Sequence, residues 1–301
     1  MRAALITGAS GFIGQHLISE LLACGYKIFA LDSSDKNPFE NNPDVTYIQS
    51  SLSDVKSISV PPCEVLYHLA WRGVAPDLRN NMKTQKENVD LSLSAVELAK
   101  EIGIPKAVFI GSTMEYCFAE GEISENSTPT PLNCYGAAKL AARFLSSSLA
   151  KNYKIDFRYA VITSIYGPGR DDGSLICYCI KEILSGRAPK LTEAIQRWDF
   201  IHIKDAVRAL RLIGEKGEQN GFYTVGCGEN KKLSEYVGII SRLSDESVPL
   251  LFGAIPYGKS GVPHSAVDTE KLKRDTGFKP EYTFSEGIRE LVNFYKQKLN
   301  L

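Results

Sequence analysis

Short apolar runs alternate with helical patterns through the first half of this chain. The runs RAALITG, KIFALD and KAVFIGST are apolar along most of their length, and helical patterns such as FIGQHLISELLACG and ENVDLSLSAVELAKEIG lie among them. Strands of this kind are buried on both faces, as in a parallel sheet covered by helices on each side. The sequence therefore predicts an α/β fold with a doubly wound parallel sheet.

The pattern loosens after residue 167, where loops and helices replace most of the apolar strands. The segments GPGRDDGS and LICYCIKEILSG are a loop and a helical stretch, and two more helical stretches close the sequence. We expect residues 1–167 to form the sheet domain and residues 168–301 to form a smaller, mostly helical lobe. This lobe is expected to be interleaved with the first domain and not to fold independently.

Charge and composition exclude some classes of partner. The 301 residues include 35 Lys and Arg against 35 Asp and Glu, so the formal charge is zero. A balanced chain has no bulk positive charge to attract nucleic acid, so we expect no nucleic-acid partner. The first apolar run enters a Gly/Ser turn and matches neither a signal peptide nor a spanning helix. We expect a cytoplasmic protein without a membrane partner.

The seven cysteines form no CxxC pair and no zinc pattern with histidine. The sequence therefore predicts no metal site. With no secretion signal, all seven thiols are expected to be reduced. Cys177 and Cys179 lie in the helical stretch LICYCIKEIL and are expected to be core thiols.

The stretch ITGASGFIG places Gly8, Gly11 and Gly14 between the first strand and the first helix. Glycines at such a turn let backbone N–H groups approach a pyrophosphate and let the helix pack close to the strand. Asp32 ends the next strand, where a carboxylate binds ribose hydroxyls and repels a 2′-phosphate. These features predict a Rossmann-type site that favours NAD(H) and leaves NADP(H) open, because two serines follow. The alternative is a glycine turn that binds no ligand.

The stretch NCYGAAKLAARF places Tyr135 and Lys139 four residues apart on one face of a helix. A tyrosine has a pKa of about 10 and serves as an acid–base group near neutrality only when a cation lies close. Lys139 supplies such a cation. By themselves, the two residues are equally compatible with an ordinary packed helix.

Taken in order, these segments resemble the extended short-chain dehydrogenases/reductases that act on nucleotide sugars, the NAD-dependent epimerase/dehydratase family. TGASGFIG, LYHLAW, FIGSTMEY, YGAAK, ITSIYGPGR and RWDFIHIKDAV are similar to that family's landmarks. The resemblance implies an enzyme with NAD as cofactor and a nucleotide-diphosphate sugar as substrate. The residues that it implies for cofactor binding are Gly8, Gly11, Phe12, Ile13, Gly14, Asp32, Asp54, Leu69, Ala70, Asn88, Tyr135 and Lys139.

In that family the tyrosine exchanges a proton with a sugar hydroxyl or ketone while a hydride moves to or from the nicotinamide. The resemblance implies this role for Tyr135, with Lys139 binding the nicotinamide ribose and lowering the tyrosine pKa. A hydroxyl donor beside the tyrosine polarises the same substrate oxygen. Thr113 is the preferred candidate for that donor, and Ser112 is the alternative.

Two departures from the family bear on the substrate. The 4,6-dehydratase branch carries an Asp-Glu pair after its Thr, whereas this chain has Met114 and then Glu115. Methionine cannot donate a proton, so dehydration is disfavoured. Glu115 either contacts the substrate or is a solvated loop carboxylate. Thr163 replaces an Asn that family members use before the YGP segment, and it retains a hydroxyl for the sugar or diphosphate.

Two arginines are candidates for gripping the nucleotide diphosphate. Arg170 and Arg197 lie on loops of the expected substrate lobe, and a guanidinium can bind phosphate in a bidentate manner. The alternative is that both are surface arginines without a role.

The resemblance favours an NAD(P)-dependent 4-ketoreductase acting on a nucleotide-activated deoxysugar. The alternative is a nucleotide-sugar 4-epimerase that keeps NAD bound. A third, less favoured hypothesis is a non-catalytic module that senses the cofactor.

The resemblance also implies a homodimer through the helices that contain LSLSAVELAKEI and AAKLAARFLSSSLA, whose small and apolar residues recur at helical spacing.

Overall fold

A computed structural model describes residues 2–258 and 261–300 of the chain. Its main sheet has seven strands in the order β10-β6-β5-β4-β1-β2-β3, and every neighbouring pair is parallel. The strands of the structure are β1 Ala3–Thr7, β2 Lys27–Asp32, β3 Val45–Gln49, β4 Val65–His68, β5 Lys106–Ser112, β6 Asp156–Ile162, β7 Ser164–Tyr166, β8 Arg197–Trp198, β9 Phe200–His202, β10 Phe222–Val225 and β11 Lys231–Lys232.

Eight α-helices accompany these strands in the described residues. They are α1 Phe12–Ala23, α2 Met82–Ile102, α3 Cys134–Asn152, α4 Leu175–Leu184, α5 Ile203–Lys216, α6 Leu233–Ser244, α7 Glu270–Thr276 and α8 Phe284–Leu299. Two 3₁₀ turns, Leu52–Ser57 and Thr113–Glu115, follow β3 and β5. The predicted α/β fold with a doubly wound parallel sheet is confirmed.

Helices cover both faces of the main sheet. α1 and α5 pack together over one face, where residues such as Leu17 and Leu210 join the inner sides of β1 and β4 in one apolar core. α2 and α3 pack together over the other face, where Ala99 and Leu140 join a second core. Because both faces are covered, the central strands are apolar throughout, which is the pattern that the sequence presents.

A third core holds the smaller lobe together. It consists of α4, α6 and α8 with the strand β9, and its large buried side chains include Phe200, Tyr236 and Tyr295. β7 pairs with β9, and β8 pairs with β11, in two small two-stranded sheets. This lobe is mostly helical, as the sequence predicts.

The expected boundary at residue 167 does not separate the two regions. β10 pairs with β6 in the main sheet, and α5 packs on α1, although both follow residue 167. The reason is that β6 needs a partner strand on its open side and α1 needs cover for its apolar face. Residues 203–225 therefore belong to the sheet domain, and the small lobe is interleaved with it.

The carboxyl ends of the parallel strands meet at one edge of the main sheet. Thr7 ends β1, His68 ends β4 and Ser112 ends β5, so the loops that follow these strands are brought together. In open α/β sheets, ligands bind at this edge. In the part of the chain that the structure describes, the helices are too short or too polar to cross a membrane.

Candidate active site

The glycine turn after β1 is packed too tightly for other residues. Gly8 has φ +69, and a Cβ there would lie 2.6 Å from the backbone nitrogen of Ala70. A Cβ on Gly14 would lie 2.4 Å from the carbonyl oxygen of Gly8. Gly11 precedes the first turn of α1, so the N–H groups of Phe12 and Ile13 have no acceptor within the helix. The turn thus presents free backbone donors at the edge of the sheet.

An open cleft of about 710 Å³ lies beside this turn. Six of the residues expected to bind the cofactor line it: Gly8, Gly11, Asp32, Leu69, Ala70 and Asn88. Asp54 does not; it is exposed in the turn after β3, and Ser51 and Leu52 line the cleft instead. The cofactor contact expected of Asp54 therefore stays a prediction, and Ser51 and Leu52 are the residues of this turn that line the cleft.

Asp32 is held at one end of the cleft by backbone donors. Its Oδ2 accepts a hydrogen bond from the Ser10 amide at 2.9 Å, and its Oδ1 accepts one from the Ser34 amide at 3.0 Å. Each carboxylate oxygen can accept further hydrogen bonds. The carboxylate is therefore fixed in place and still able to accept from a ligand hydroxyl.

Asn88 braces the loop between β4 and α2. Its side-chain oxygen accepts from the Arg72 amide at 2.9 Å, and its nitrogen donates to the Arg72 carbonyl at 2.8 Å. Trp71 lies on the same loop, lines the cleft and donates from Nε1 to Gln85 at 3.1 Å. These bonds hold the indole against the start of α3, where the Tyr135 ring meets it edge-on with centroids 5.9 Å apart.

The start of α3 approaches the end of β5 closely. Asn133 caps the helix by accepting a hydrogen bond from the Gly136 amide at 3.0 Å. A Cβ on Gly136 would lie 2.3 Å from the Met114 carbonyl oxygen, so glycine is required at this contact. The close approach brings Tyr135 to the end of β5.

Tyr135 and Lys139 are brought together, but not in the way that the sequence suggests. Burial raises the pKa of Tyr135 to about 12, and a hydrogen bond with the Ser112 side chain opposes that rise. Lys139 Nζ donates to the Ile110 carbonyl at 2.8 Å and lies 3.7 Å from the centre of the Trp71 ring. The pKa of Tyr135 is therefore raised rather than lowered, because burial outweighs the opposing effects of Ser112, Arg79 and Arg170.

Ser112, rather than Thr113, faces Tyr135. The Thr113 hydroxyl is buried and accepts a hydrogen bond from Ser265 at 2.7 Å, which ties it to the small lobe. This contact favours Ser112, the alternative, over Thr113 as the donor beside the tyrosine. The short turn after β5 is the reason, since consecutive residues there point in different directions.

Glu115 is neither a solvated loop carboxylate nor a group that reaches the cleft. It is fully buried, and its Oε1 accepts from the Ser112 amide at 2.7 Å and from the Tyr159 hydroxyl at 3.0 Å. Burial raises the pKa of this carboxyl. Both expectations for Glu115 are corrected, because its side chain turns back under β5.

The other three expected substrate residues are not among those that line the cleft. Thr163 is buried and donates to the Asp199 carbonyl at 2.6 Å, which removes it from any ligand surface. Arg170 binds Asp172 at 2.7 Å and lies 5.8 Å from the Phe12 ring, beside the start of α1. Arg197 is exposed and donates to the Asn230 carbonyl at 2.7 Å, so nothing places it in the cleft.

One residue beside the site was not anticipated from the sequence. The Arg79 guanidinium lies 5.8 Å from the centre of the Tyr135 ring, and its Nε donates to the Val74 carbonyl at 2.9 Å. No motif marks it, because its position depends on how the loop before α2 folds back.

The residues of the cleft fit a dinucleotide. The glycine turn leaves a cradle that a Cβ would fill, the first turn of α1 offers amide donors for a pyrophosphate, and Asp32 can bind a ribose. The Tyr135, Ser112 and Lys139 groups lie at the end of β5, near the same edge. The fold and the site together define a dinucleotide-dependent enzyme.

The comparison with known families makes this more specific. The family model described as the NAD dependent epimerase/dehydratase family matches residues 4–226, about three quarters of the sequence. The chain belongs to this family and is an enzyme that uses NAD. The resemblance and the expected cofactor are confirmed, and the hypothesis of a non-catalytic sensing module is not supported.

Individual relatives are distant but match along their whole length. The chain is 25% identical to a UDP-glucuronate 4-epimerase from Thermodesulfobacterium geofontis, over 99% of this chain and 97% of the relative. It is 23% identical to a dTDP-glucose 4,6-dehydratase from Streptomyces griseus, over 97% and 93%. The solved structure of MoeE5 in complex with UDP-glucuronic acid and NAD is 25% identical, with a TM-score of 0.85 over 98% and 99% of the two chains.

Proposed function

We propose that this enzyme moves a hydride and a proton at C4 of the sugar in a nucleotide-activated sugar, and that it does so as a 4-epimerase. Relatives of full-length coverage are 4-epimerases and 4,6-dehydratases of nucleotide sugars. Both types of reaction begin with oxidation at C4 and end with NAD restored.

The observation that carries the proposal is the group of Ser112, Tyr135 and Lys139 beside Trp71, which lines the cleft. A hydroxyl, a phenol and an ammonium within one turn of helix and one strand end can hold a carbinol or ketone oxygen and exchange its proton. The Tyr135 ring meets Trp71 edge-on, and Lys139 is anchored on the Ile110 carbonyl at 2.8 Å. These contacts hold the proton-transfer group in one orientation.

The cofactor would be held by the glycine turn, by Asp32 and by the loop that Asn88 braces. When bound, NAD supplies the hydride acceptor and donor for the sugar carbon. The protein then has to orient the sugar oxygen toward Tyr135 and move its proton. Trp71 and Leu69 form part of the apolar lining of the cleft.

The same residues argue against dehydration. A 4,6-dehydratase must also remove a proton and a hydroxyl from neighbouring carbons, which requires additional acid–base side chains. Met114 cannot ionise, and the Glu115 carboxylate is turned under β5. The proposal therefore follows the epimerase relatives rather than the dehydratase relatives.

A 4-ketoreductase is the second candidate, and the protonation of Tyr135 favours it. Burial raises the pKa of Tyr135 to about 12, so the phenol carries its proton at neutral pH. A protonated phenol can donate directly to a ketone oxygen, which is the whole proton task of a reductase. An epimerase uses the same step only in the second half of its cycle.

One set of incubations separates the two. Purified protein is incubated with UDP-glucose, UDP-glucuronate, UDP-N-acetylglucosamine or dTDP-glucose and catalytic NAD, and products are assigned by NMR from the coupling of the C4 proton. Inversion at C4 without net change in NADH supports the epimerase. A parallel incubation contains a nucleotide 4-keto-6-deoxysugar and stoichiometric NADH. Consumption of one NADH per molecule of this sugar, without inversion of the parent sugars, would replace the epimerase with the reductase. Tyr135→Phe is the control that should abolish either activity.

A further inference from the structure

A buried carboxylate lies directly beneath the proposed catalytic group and has no part in the proposed proton transfer. Glu115 is fully buried, and its Oε2 has no hydrogen-bond partner among the described residues. An unpartnered buried carboxylate oxygen is costly unless a nearby positive charge offsets it. Its role therefore has to be sought in the charges around it.

Two buried, charged side chains, those of Glu115 and Lys139, form hydrogen bonds with the backbone of the last residues of β5. Glu115 Oε1 accepts from the Ser112 amide at 2.7 Å, and Lys139 Nζ donates to the Ile110 carbonyl at 2.8 Å. The two bonds are made to residues only two apart on one strand. Tyr159 links the charged residues again, because its hydroxyl contacts Glu115 Oε1 at 3.0 Å and the Lys139 carbonyl at 3.3 Å.

The strand is shaped to receive this carboxylate. A Cβ on Gly111 would lie 2.6 Å from Glu115 Oε1 and 2.5 Å from the Tyr159 ring. Glycine at position 111 thus leaves the space in which the carboxylate and the phenol meet. Glu115 also completes a capping box with Ser112 around the turn after β5, which fixes the backbone of Ser112.

We propose that Glu115 is a positioning residue for the reaction: its carboxylate is the counter-charge that keeps the buried Lys139 an ammonium, and its bond to the Ser112 amide seats Ser112 beside Tyr135. The proposal rests on the function proposed above for these three residues. It assigns Glu115 an action through Lys139 and Ser112, without contact to the substrate.

The charges around the pair agree with this assignment. Burial lowers the pKa of Lys139, and Glu115 is the charge that raises it again. Lys139 and Arg143 of α3 in turn oppose the rise in the pKa of Glu115. Arg143 donates to the Tyr116 hydroxyl at 2.6 Å, whereas Lys139 is the cation that lies over Trp71.

The other titratable groups facing the pair are neutral near pH 7. They are Tyr116 after β5, Tyr135 of α3, Tyr159 of β6 and His68 at the end of β4, where burial lowers the histidine pKa to about 3 and raises the tyrosine pKa values. None of these groups replaces Glu115 as a counter-charge.

Trp71 makes the protonation of Lys139 measurable without substrate or cofactor. The ammonium lies 3.7 Å from the centre of the Trp71 ring, and the chain has two tryptophans. In a Trp198→Phe background, the emission of Trp71 followed against pH should report the loss of this cation. Lys139→Met in that background should remove the transition and so assign it.

Glu115→Gln then tests the proposal, since it keeps the size of the side chain and removes its charge. We expect the Lys139 transition to move to lower pH by about one unit or more, the usual effect of losing an opposite charge nearby. Tyr159→Phe, which loses one contact to Glu115 but leaves the charge, should leave the midpoint in place. An unchanged midpoint in a folded Glu115→Gln protein would overturn the proposal and leave Glu115 a turn cap.

A reciprocal measurement covers the case in which Glu115→Gln does not fold. Charge coupling is mutual, so Lys139→Met should raise the pH at which Glu115 titrates in otherwise native protein. The carboxyl ¹³C shift of Glu115 reports this, assigned from Glu-labelled protein. If Glu115 titrates at the same pH with and without Lys139, the counter-charge role is excluded. Either result is independent of whether the enzyme is an epimerase or a reductase.

Discussion

The cofactor cleft and the small lobe differ in what places their functional groups. In the cleft, the groups are backbone amides of the glycine turn and a carboxylate, Asp32, that backbone donors hold. In the small lobe, the candidates were long side chains on loops, and Arg197 lies away from the cleft while Arg170 lies beside the start of α1. Function that resides in the backbone can be located from local sequence. A functional group at the end of a long side chain cannot be located in this way, because its position depends on tertiary contacts.

The end of β5 and the start of α3 form the border between these regions. Here Tyr135 is positioned by a helix cap and a glycine contact, both of which are local, and Lys139 follows from helical spacing. The choice between Ser112 and Thr113 depends instead on a contact with Ser265, which lies 152 residues further along the chain. At this border, some functional side chains are positioned by neighbouring residues in the sequence and others by distant contacts.

The largest expected effect is that of Tyr135→Phe. The variant keeps the ring against Trp71 and removes the proton, so kcat should fall by about 10²–10⁴, the usual worth of a general acid. NAD affinity should be nearly unchanged. Turnover and NAD binding are measured on the same preparation with the substrate found by the incubations above. Wild-type turnover would mean that the chemistry lies elsewhere in the cleft.

Ser112→Ala and Thr113→Val sharpen the comparison at the border. We expect Ser112→Ala to lower kcat by about 10-fold or more, because it removes a hydrogen bond to the phenol and to the reacting oxygen. Thr113→Val keeps the shape of a buried side chain and should change mainly thermal stability, by about 1–3 kcal/mol for the lost contact with Ser265. The reverse order of kcat losses would restore Thr113 as the catalytic hydroxyl.

Asp32→Ala tests the cofactor end of the cleft, with Asp54→Ala as its control. A carboxylate about 4 Å from a 2′-phosphate costs roughly 1–4 kcal/mol, so wild-type protein should bind NADH tens of times more tightly than NADPH. Asp32→Ala should erode this preference, whereas the exposed Asp54 lies outside the cleft and its loss should change neither dissociation constant. Tighter binding of NADPH by the wild type would place the Asp32 carboxylate away from the ribose.

Disruption of the predicted dimer is expected to have the smallest effect on catalysis. α2 and α3 lie side by side, and Phe144 and Leu145 of α3 are 57% and 50% exposed, as a surface for a second copy would require. Light scattering at micromolar concentration should give twice the mass of the chain. Phe144→Asp should halve that mass and change kcat little, because the residue is remote from the cleft. A monomeric wild type would refute the dimer.

The fold and the cofactor cleft could be predicted because their signals are periodic and local. Apolar strands such as AALIT and glycines such as Gly8 have the same meaning in any chain that has to bury a sheet and make room for a ligand. Local signals do not decide which residue of the turn after β3 faces the cleft, where Ser51 and Leu52 rather than Asp54 form the lining. Glu115 failed for a different reason. A carboxylate in a loop is normally solvated, and only the space at Gly111 and the nearby Lys139 allow it to be buried.

The return of the chain to the main sheet at β10 makes the two regions a single cooperative unit. β10, the strand that completes the sheet beside β6, follows α4, β8, β9 and α5 in the chain. A fragment that ends at residue 167 would leave β6 as an open edge and the apolar side of α1 uncovered, which are conditions for aggregation. Chemical denaturation of the whole chain should therefore follow one transition, in which cofactor binding and the small lobe are lost together.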